Sequence, residues 1–352
     1  MRSTASRRQG ALIVVLAALV AACGGSSTSS ASSPQTLTKT VTVRTVKQPL
    51  AYFAPMYVAA DQGFARQNKL DIQFVGLQAG AEDAPAVFNG TLDITDCTFD
   101  NIANLRAQGK NLVAVYQLMD HVTLDLVVAN RILQGTGVSA SSPLADRYRV
   151  LKGHRFGISS PGSPSDILLR IMLKAHGLNP DRDVQIVRVG SIAGLFAALK
   201  SGQIDGYILS PPSPQQAVAA GVGTILIYNT KGEDPALNKF LYVSLCASED
   251  YIKSNPAVVR AYVKSIQEAN DWMRTHLDQT YQILQKEFPD VNPSTWSTGL
   301  PALLPAVSRN GKFDQARVAE TYQLYKDNGV IQTVPPTRQG VTWTNAYLPA
   351  QS

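Results

Sequence analysis

Three segments of this chain recur at one constant spacing. DIQFV (71–75) returns as DVQIV (183–187), NGTLD (89–93) as SGQID (201–205), and Gly109 as Gly221, each 112 residues on. A shared offset across separate segments is the mark of a duplicated structural unit. Glycine ends helices in many folds, so the glycine match alone would carry little. Together, the three predict two similar lobes.

Each unit alternates short β-branched runs with helical stretches. In the first, TVTVRTV (40–46), LDIQFVG (70–76), LDITDC (92–97) and LVAVYQ (112–117) read as strands. Helices are expected over 54–64, 82–88 and 102–108. The second repeats this with strands at 154–160, 183–190, 204–209 and 224–228 and helices at 165–176, 194–200 and 215–220. Strands alternating with helices imply a mostly parallel sheet covered on both faces, so the fold class is α/β. FLYVSLCA (240–247) reads as a further buried strand with no counterpart in the repeat. Asn255-Pro256 then opens a helix in which Val259, Tyr262, Ile266, Ala269 and Met273 recur at helical spacing, as expected of a helix lying on a core. Further helices are expected near 278–287 and 314–328. The simplest assembly crosses from lobe 1 to lobe 2 near 127–131 and returns near 238–243. Lobe 1 would hold 41–128 plus 239–350 and lobe 2 would hold 129–238, joined as a hinge around a cleft.

Ahead of the body lies an address. Arg2, Arg7 and Arg8 precede twelve unbroken apolar residues, ALIVVLAALVAA (11–22). A membrane span needs about twenty, and twelve is the length of a signal-peptide core, so 1–22 reads as a signal peptide. It ends Val20-Ala21-Ala22-Cys23, which resembles a bacterial lipobox and marks Cys23 for lipid attachment. An ordinary secretory cleavage site is the alternative. The Ser/Gly-rich stretch 23–40 buries nothing and reads as a tether. The body is therefore expected outside the cytoplasm, anchored to the outer face of the cell membrane.

Composition narrows the function classes. Of 352 residues, 45% are hydrophobic and 16% charged, enough apolar material for a sizeable core. The formal charge of +6 falls to +3 once the three leader arginines are set aside, too weak and scattered for nucleic acid. Three cysteines exclude a disulfide scaffold, and four scattered histidines offer no zinc spacing. No G-x-S-x-G, phosphate-binding loop or dinucleotide fingerprint occurs. No cofactor is expected.

Ligands of open parallel sheets sit beyond the carboxyl ends of the strands. The candidate segments are then 48–53, 78–80, 97–100 and 117–121 in lobe 1, and 159–166, Ser191 and 210–212 in lobe 2. They offer Tyr52, Phe53, Gln78, Cys97, Phe99, Asp100, Gln117, Ser160, Gly162, Ser163, Ser191 and Ser210 as ligand-binding residues. Hydroxyls, amides and aromatics of this kind suit a small organic solute. In 159–166, Gly162 allows a tight turn, Ser163 can cap a helix with Pro164 at its first position, and Asp166 stands at the capping-box place. Free N–H groups of that first turn would hold an anionic or strongly electronegative group. The alternative is that Ser163 only caps its helix. At least one of Tyr52 and Phe53 is expected in the core. Asp100 contacts an amine or caps the next helix, with capping favoured. Asp96 and Asp120 add negative charge opposed only by Lys47, which tilts the reading towards an uncharged, aminated or zwitterionic ligand. Cys97 and Cys246 read as buried free thiols, with a disulfide as the alternative.

The order of several motifs resembles a known family. PMYVAADQGF (55–64) followed by KLDI (69–72), LKG (151–153) leading to GISSPGS (157–163), LKSGQIDG (199–206), Pro211-Pro212, Gly221, SNPAVV (254–259) and Trp272 are similar to the nitrate/sulfonate/taurine substrate-binding proteins of ABC importers. Proteins that bind thiamine-pyrimidine precursors belong to the same superfamily. The resemblance covers about 41–330. It implies a type II periplasmic-binding-protein fold and a solute clamped between two lobes. It also implies delivery to ABC permease and ATPase subunits by a monomer. A sulfonate or taurine-like compound is the default cargo, with a pyrimidine-type compound close behind. CTFD (97–100) departs from the small residues usual there, and 131–149 looks inserted. The rival readings are an enzyme on the same fold, such as a pyrimidine synthase or a dehydratase, and a ligand-sensing module.

Overall fold

The computed structural model describes residues 36–77 and 81–350. The signal peptide, the lipobox at Cys23 and candidate Gln78 lie outside the described residues.

Among the described residues, ten strands build two lobes of one design. They are β1 (Val41–Lys47), β2 (Leu70–Gly76), β3 (Thr95–Cys97), β4 (Leu112–Gln117), β5 (Asp125–Ala129), β6 (Arg155–Ile158), β7 (Gln185–Arg188), β8 (Gly206–Leu209), β9 (Gly223–Ile227) and β10 (Ser244–Ser248). Lobe 2 carries one five-stranded sheet in the order β7-β6-β8-β5-β9. In lobe 1, β1 pairs with β2, and β10 lies between β3 and β4. The two pieces meet where the Arg44 carbonyl accepts from the N–H groups of Asp93 (2.9 Å) and Ile94 (3.3 Å). The lobe 1 order is then β2-β1-β3-β10-β4, the counterpart of lobe 2 strand for strand.

The odd strand in each lobe is antiparallel and comes from the passage between lobes. β5 follows the exit from lobe 1 and pairs antiparallel with β8 and β9. β10 follows the return and pairs antiparallel with β3 and β4. Two expectations are corrected here. The 240–247 run does have a counterpart, β5, hidden from the 112-residue offset because the two strands exchange places in chain order. The first passage runs over 118–124 rather than 127–131, since β5 already belongs to the lobe 2 sheet. Residues 240–243 are buried but unladdered, so β10 begins at Ser244.

The repeat is visible at atomic detail. In lobe 1, Arg44 on β1 grips Asp93: its Nε donates to Oδ2 (2.9 Å), its Nη2 to Oδ1 (2.7 Å) and its backbone N–H to Oδ2 (2.8 Å), while Nη1 donates to the Gly90 carbonyl. In lobe 2, Arg155 on β6 does the same with Asp205 (3.0, 3.0 and 2.9 Å) and the Gly202 carbonyl (2.8 Å). The preceding turns also match. The Ala86 carbonyl accepts from Thr91 and Leu92, and the Ala198 carbonyl from Gln203 and Ile204. Gly90 (φ +76°) and Gly202 (φ +79°) occupy the left-handed position those turns require. The first strands are 111 residues apart rather than 112, so one residue was inserted between the first and second strands of the second unit.

Most helices form where the periodicity places them. The helix Pro256–Met273 buries Val259, Tyr262, Val263, Ile266, Ala269 and Met273 and packs across the helix Ala54–Asp61. Each large apolar side chain so buried contributes about 1.5–3 kcal/mol. Two expectations fail. Residues 82–88 form only a 3-10 turn, Pro85–Val87, because Pro85 has no N–H to extend a helix from Asp83. The unexpected helix Pro293–Leu303 contains Pro301 and Gly299, which disguise it, and it reaches the helix Ser213–Ala219 of lobe 2. Among the described residues, no helix is long and apolar enough to cross a membrane.

Candidate functional site

A cleft opens between the lobes at the carboxyl ends of the parallel strands. Leu50 follows β1, Asp96 lies on β3, Ser159 follows β6 and Leu209 ends β8. Tyr52, Asp83, Tyr242, Pro164, Ser165, Leu124 and Ile192 complete its walls. The space left is about 30 Å³, room for a water or two. A solute of several heavy atoms enters only if the lobes separate. They touch nearby, where the Ala51 N–H donates to the Pro211 carbonyl (2.8 Å) and the hydroxyls of Thr123 and Ser210 share a hydrogen bond (2.8 Å). A larger depression of about 650 Å³ lies away from both sheet edges, around Lys264, Asp271 and Arg309.

The two walls differ in chemistry. Lobe 1 presents carboxyls and phenols. Asp83 is 3% exposed, and its Oδ1 has no hydrogen-bond partner. Asp96 is half-buried and lines the cleft. Burial raises both carboxyls above the ordinary range, and the negative charge of Asp96 raises Asp83 further. The Tyr52 and Tyr242 rings meet edge-on at 6.2 Å, and burial pushes both hydroxyls up. Lobe 2 presents the start of the helix Pro164–Ala175. Asp166 accepts from the Gly162 N–H (2.9 Å), not from that of the Ser163 cap, and also from Arg170 Nε (2.6 Å). The helix N-terminus thus already faces a carboxylate of the chain itself.

Of the candidate residues among those described, Tyr52 alone lines the cleft directly. Its neighbour Phe53 is fully buried and is the core member of the pair. Phe99 is also core, packed edge-on against Phe313 and Tyr322. Asp100 is neither a cap nor a cleft residue. It sits buried against Thr98 and Tyr325, with burial raising its carboxyl, while Asn101 accepts from the Thr98 backbone N–H. Gln117 is spent inside lobe 1, accepting from Ser244 (3.0 Å) and donating to the Met119 carbonyl. Asp120 lies outside the cleft walls, and Lys47 is paired with Glu287 at 2.9 Å. Cys97 and Cys246 form a disulfide joining β3 to β10, so the free-thiol reading is corrected and Cys97 has no thiol to offer a ligand.

In lobe 2, Ser191 caps the helix Ile192–Lys200 by accepting from Gly194 (3.0 Å). Ser163 is buried with its hydroxyl on Ser165 (2.8 Å), Gly162 makes the tight turn at φ +77°, and Ser160 keeps a buried, unpartnered hydroxyl. Ser210 is buried against Thr123 and Tyr242 just behind the wall. Sequence reasoning missed Asp83, which it placed in a helix, and Tyr242, which it placed mid-strand. The prolyl break at Pro85 and the return passage itself were the signals available. No group of three or more metal-binding side chains occurs among the described residues.

Comparison with known proteins agrees with this architecture. The putative binding protein YtlA of Bacillus subtilis is 23% identical over 270 residues, covering 76% of this chain and 75% of that protein. The bicarbonate transport ATP-binding protein CmpC of Synechocystis is 28% identical over 63% of this chain, but the match spans only 33% of its length. The alkanesulfonate-binding protein SsuA of Xanthomonas axonopodis, solved with MOPS bound, superimposes with a TM-score of 0.66 at 18% identity, covering 87% of this chain and 98% of that one. The profile of the NMT1-like family matches residues 39–285, and the chain belongs to that family.

Proposed function

We propose that this protein is an extracytoplasmic solute-binding lipoprotein that captures a small organic solute between its lobes and presents it to an ABC importer. The observation that carries the reading is the cleft, set at the carboxyl edges of two matched sheets and bridged by two passages of chain. Such a layout allows hinge closure around a solute. Its family and the binding proteins among its relatives support the reading. Lipid attachment at Cys23 and a monomeric body belong to the same proposal and rest on the sequence.

The protein makes and breaks no bond in this scheme. Solute binding draws the lobes together, and the closed form is what a permease recognises. Conformational energy for closure comes from burying the solute and the rims of the cleft. The test is a thermal-shift and solution-scattering screen with alkanesulfonates, taurine, nitrate, aromatic acids, thiamine and pyrimidine precursors. At 100 times its dissociation constant a solute adds about 2.7 kcal/mol of stability. A solute that raises the melting temperature and compacts the protein supports the clamp. A saturating solute that changes neither shape nor melting temperature contradicts it.

A further inference from the structure

We propose that the cleft selects a small organic cation, an ammonium or amidinium carried on a flat apolar frame, with its N–H groups on Asp83 and Asp96. This rests on the receptor reading above and adds the charge class of the solute. Three observations converge on it.

The first is the pair of carboxyls. Asp83 and Asp96 share one wall, Asp83 is 3% exposed, and one of its oxygens is buried without a partner. An unmade hydrogen bond there costs about 1–3 kcal/mol, which a donor on the solute would recover. Amidinium and ammonium groups meet carboxylates with short, charge-assisted bonds, two at a time in the planar case.

The second is the missing counter-charge. Among the described residues, no lysine, arginine or histidine lines the cleft. Lys47, which ends β1 just ahead of Leu50, is held by Glu287. An anion would face two acidic groups where charges interact strongly. The start of the helix Pro164–Ala175 carries a carboxylate of its own, Asp166, which accepts from the Gly162 N–H and pairs with Arg170.

The third is the rest of the lining. Leu50, Leu124, Ile192 and Leu209 with the Tyr52 and Tyr242 rings make an apolar slot beside the carboxyls. A flat hydrocarbon or heteroaromatic frame fits it, and cation–aromatic attraction adds to the fit.

Proton linkage follows. The groups bearing on the two carboxyls are each other, Glu82, Gln48 and Thr95, with the hydroxyls of Tyr52, Tyr57 and Tyr242 near them, and none of these is basic. A bound cation favours the ionised form of both, so binding releases protons. Affinity for a cation then rises with pH, by up to about tenfold per unit per proton released.

The experiment uses the full-length protein in detergent with four probes of one shape: benzamidinium, benzylammonium, benzamide and benzenesulfonate. Calorimetry and scattering are read at pH 5.5 and pH 8. The expected result is that a cationic probe binds and compacts the protein, more tightly at pH 8, while benzenesulfonate does not. Asp83→Asn combined with Asp96→Asn should weaken cation binding at least about tenfold without lowering the melting temperature of the free protein. Lys47→Gln should leave affinity unchanged. Binding of benzenesulfonate with compaction, or cation affinity that survives the double substitution, overturns the charge assignment and leaves the receptor reading standing. If no cation binds while a solute from the wider screen compacts the protein, the charge assignment also falls alone. If nothing of any charge compacts the protein, both readings fail.

Discussion

The two lobes share their framework and differ at the rim. Each has the same strand order, the same Arg–Asp grip, the same left-handed glycine and the same antiparallel strand supplied by the passage between lobes. Side chains that face inwards or across the rim diverge. At the 112-residue offset, Asp96 on β3 answers to Ile208 on β8, and Cys97 answers to Leu209. Ladder pairing sets Ser244 opposite Cys97 and Asp125 opposite Leu209, so Ser244 and Asp125 are counterparts too. Lobe 1 is therefore stapled by a disulfide and acidic at the cleft. Lobe 2 is unstapled, uncharged at the cleft and carries its buried carboxyl Asp125 in the sheet. A duplicated scaffold holds geometry constant while the residues beyond its strand ends take up chemistry independently.

Removing the staple should have the largest effect. The disulfide closes a loop of 149 residues, and replacing both cysteines with serine should cost about 2–5 kcal/mol, read by denaturant unfolding. Reductant should act in the same direction on the wild type. An unchanged unfolding midpoint would break the contrast between a stapled and an unstapled lobe.

The two grips should not be equal. Asp205 also accepts from Arg131 (2.6 Å), which Asp93 has no counterpart for. Burial alone would raise the Asp205 carboxyl, but hydrogen bonds from Arg155 and Arg131 hold it well below the ordinary range. Asp205→Ala is expected to cost about 2–4 kcal/mol and Asp93→Ala about 1–2. A depressed carboxyl stabilises the fold above its unfolded pKa, and that stability drains away as pH falls below about 4. Equal losses in the two variants would show that Arg131 adds nothing.

The buried carboxyl of lobe 2 has the opposite sign. Burial pushes Asp125 up to about 7, against the hydrogen bonds it accepts from Thr230. The folded state binds the proton more tightly than the unfolded state. Stability contributed by this group therefore falls as pH rises from about 4 to about 7. Asp125→Asn keeps an acceptor for Thr230 and should flatten that slope, worth about 1–3 kcal/mol at pH 7. The matching residue Ser244 does not titrate, so that one position adds no such slope in lobe 1, where the raised carboxyls are Asp83, Asp96 and Asp100 instead. The smallest effect belongs to Lys47→Gln, which breaks a half-exposed pair with Glu287 and should cost less than about 1 kcal/mol, vanishing at high salt.

The sequence carried the framework because local signals and the repeat agreed. β-branched runs, helix-ending glycines and the 112-residue offset all speak of backbone geometry, which neighbouring residues encode. The antiparallel exchange was not legible, since β5 and β10 gain their equivalence only when the chain has crossed twice. The helix Pro293–Leu303 hid behind Pro301 for the same reason, its formation resting on packing rather than propensity. The site was legible as segments and less so as residues. Segments 48–53 and 159–166 reach the cleft, yet within them Phe53 and Ser163 turn to the core while Leu50, Ser159, Pro164 and Ser165 face the opening. Near the end of a strand a shift of one residue reverses the face, and the pattern alone does not fix that phase. The pairing of Cys97 with Cys246 likewise depends on β10 inserting beside β3.

The most direct test is the distance between the lobes in solution. Lys110 at the surface of lobe 1 and Lys200 at the surface of lobe 2 are both exposed and lie outside the cleft. Replacing each with cysteine allows paired fluorophores to report their separation by energy transfer. With a solute that calorimetry shows to be bound, a clamp predicts a shorter separation and a narrower distribution. A separation unchanged at saturation would contradict it.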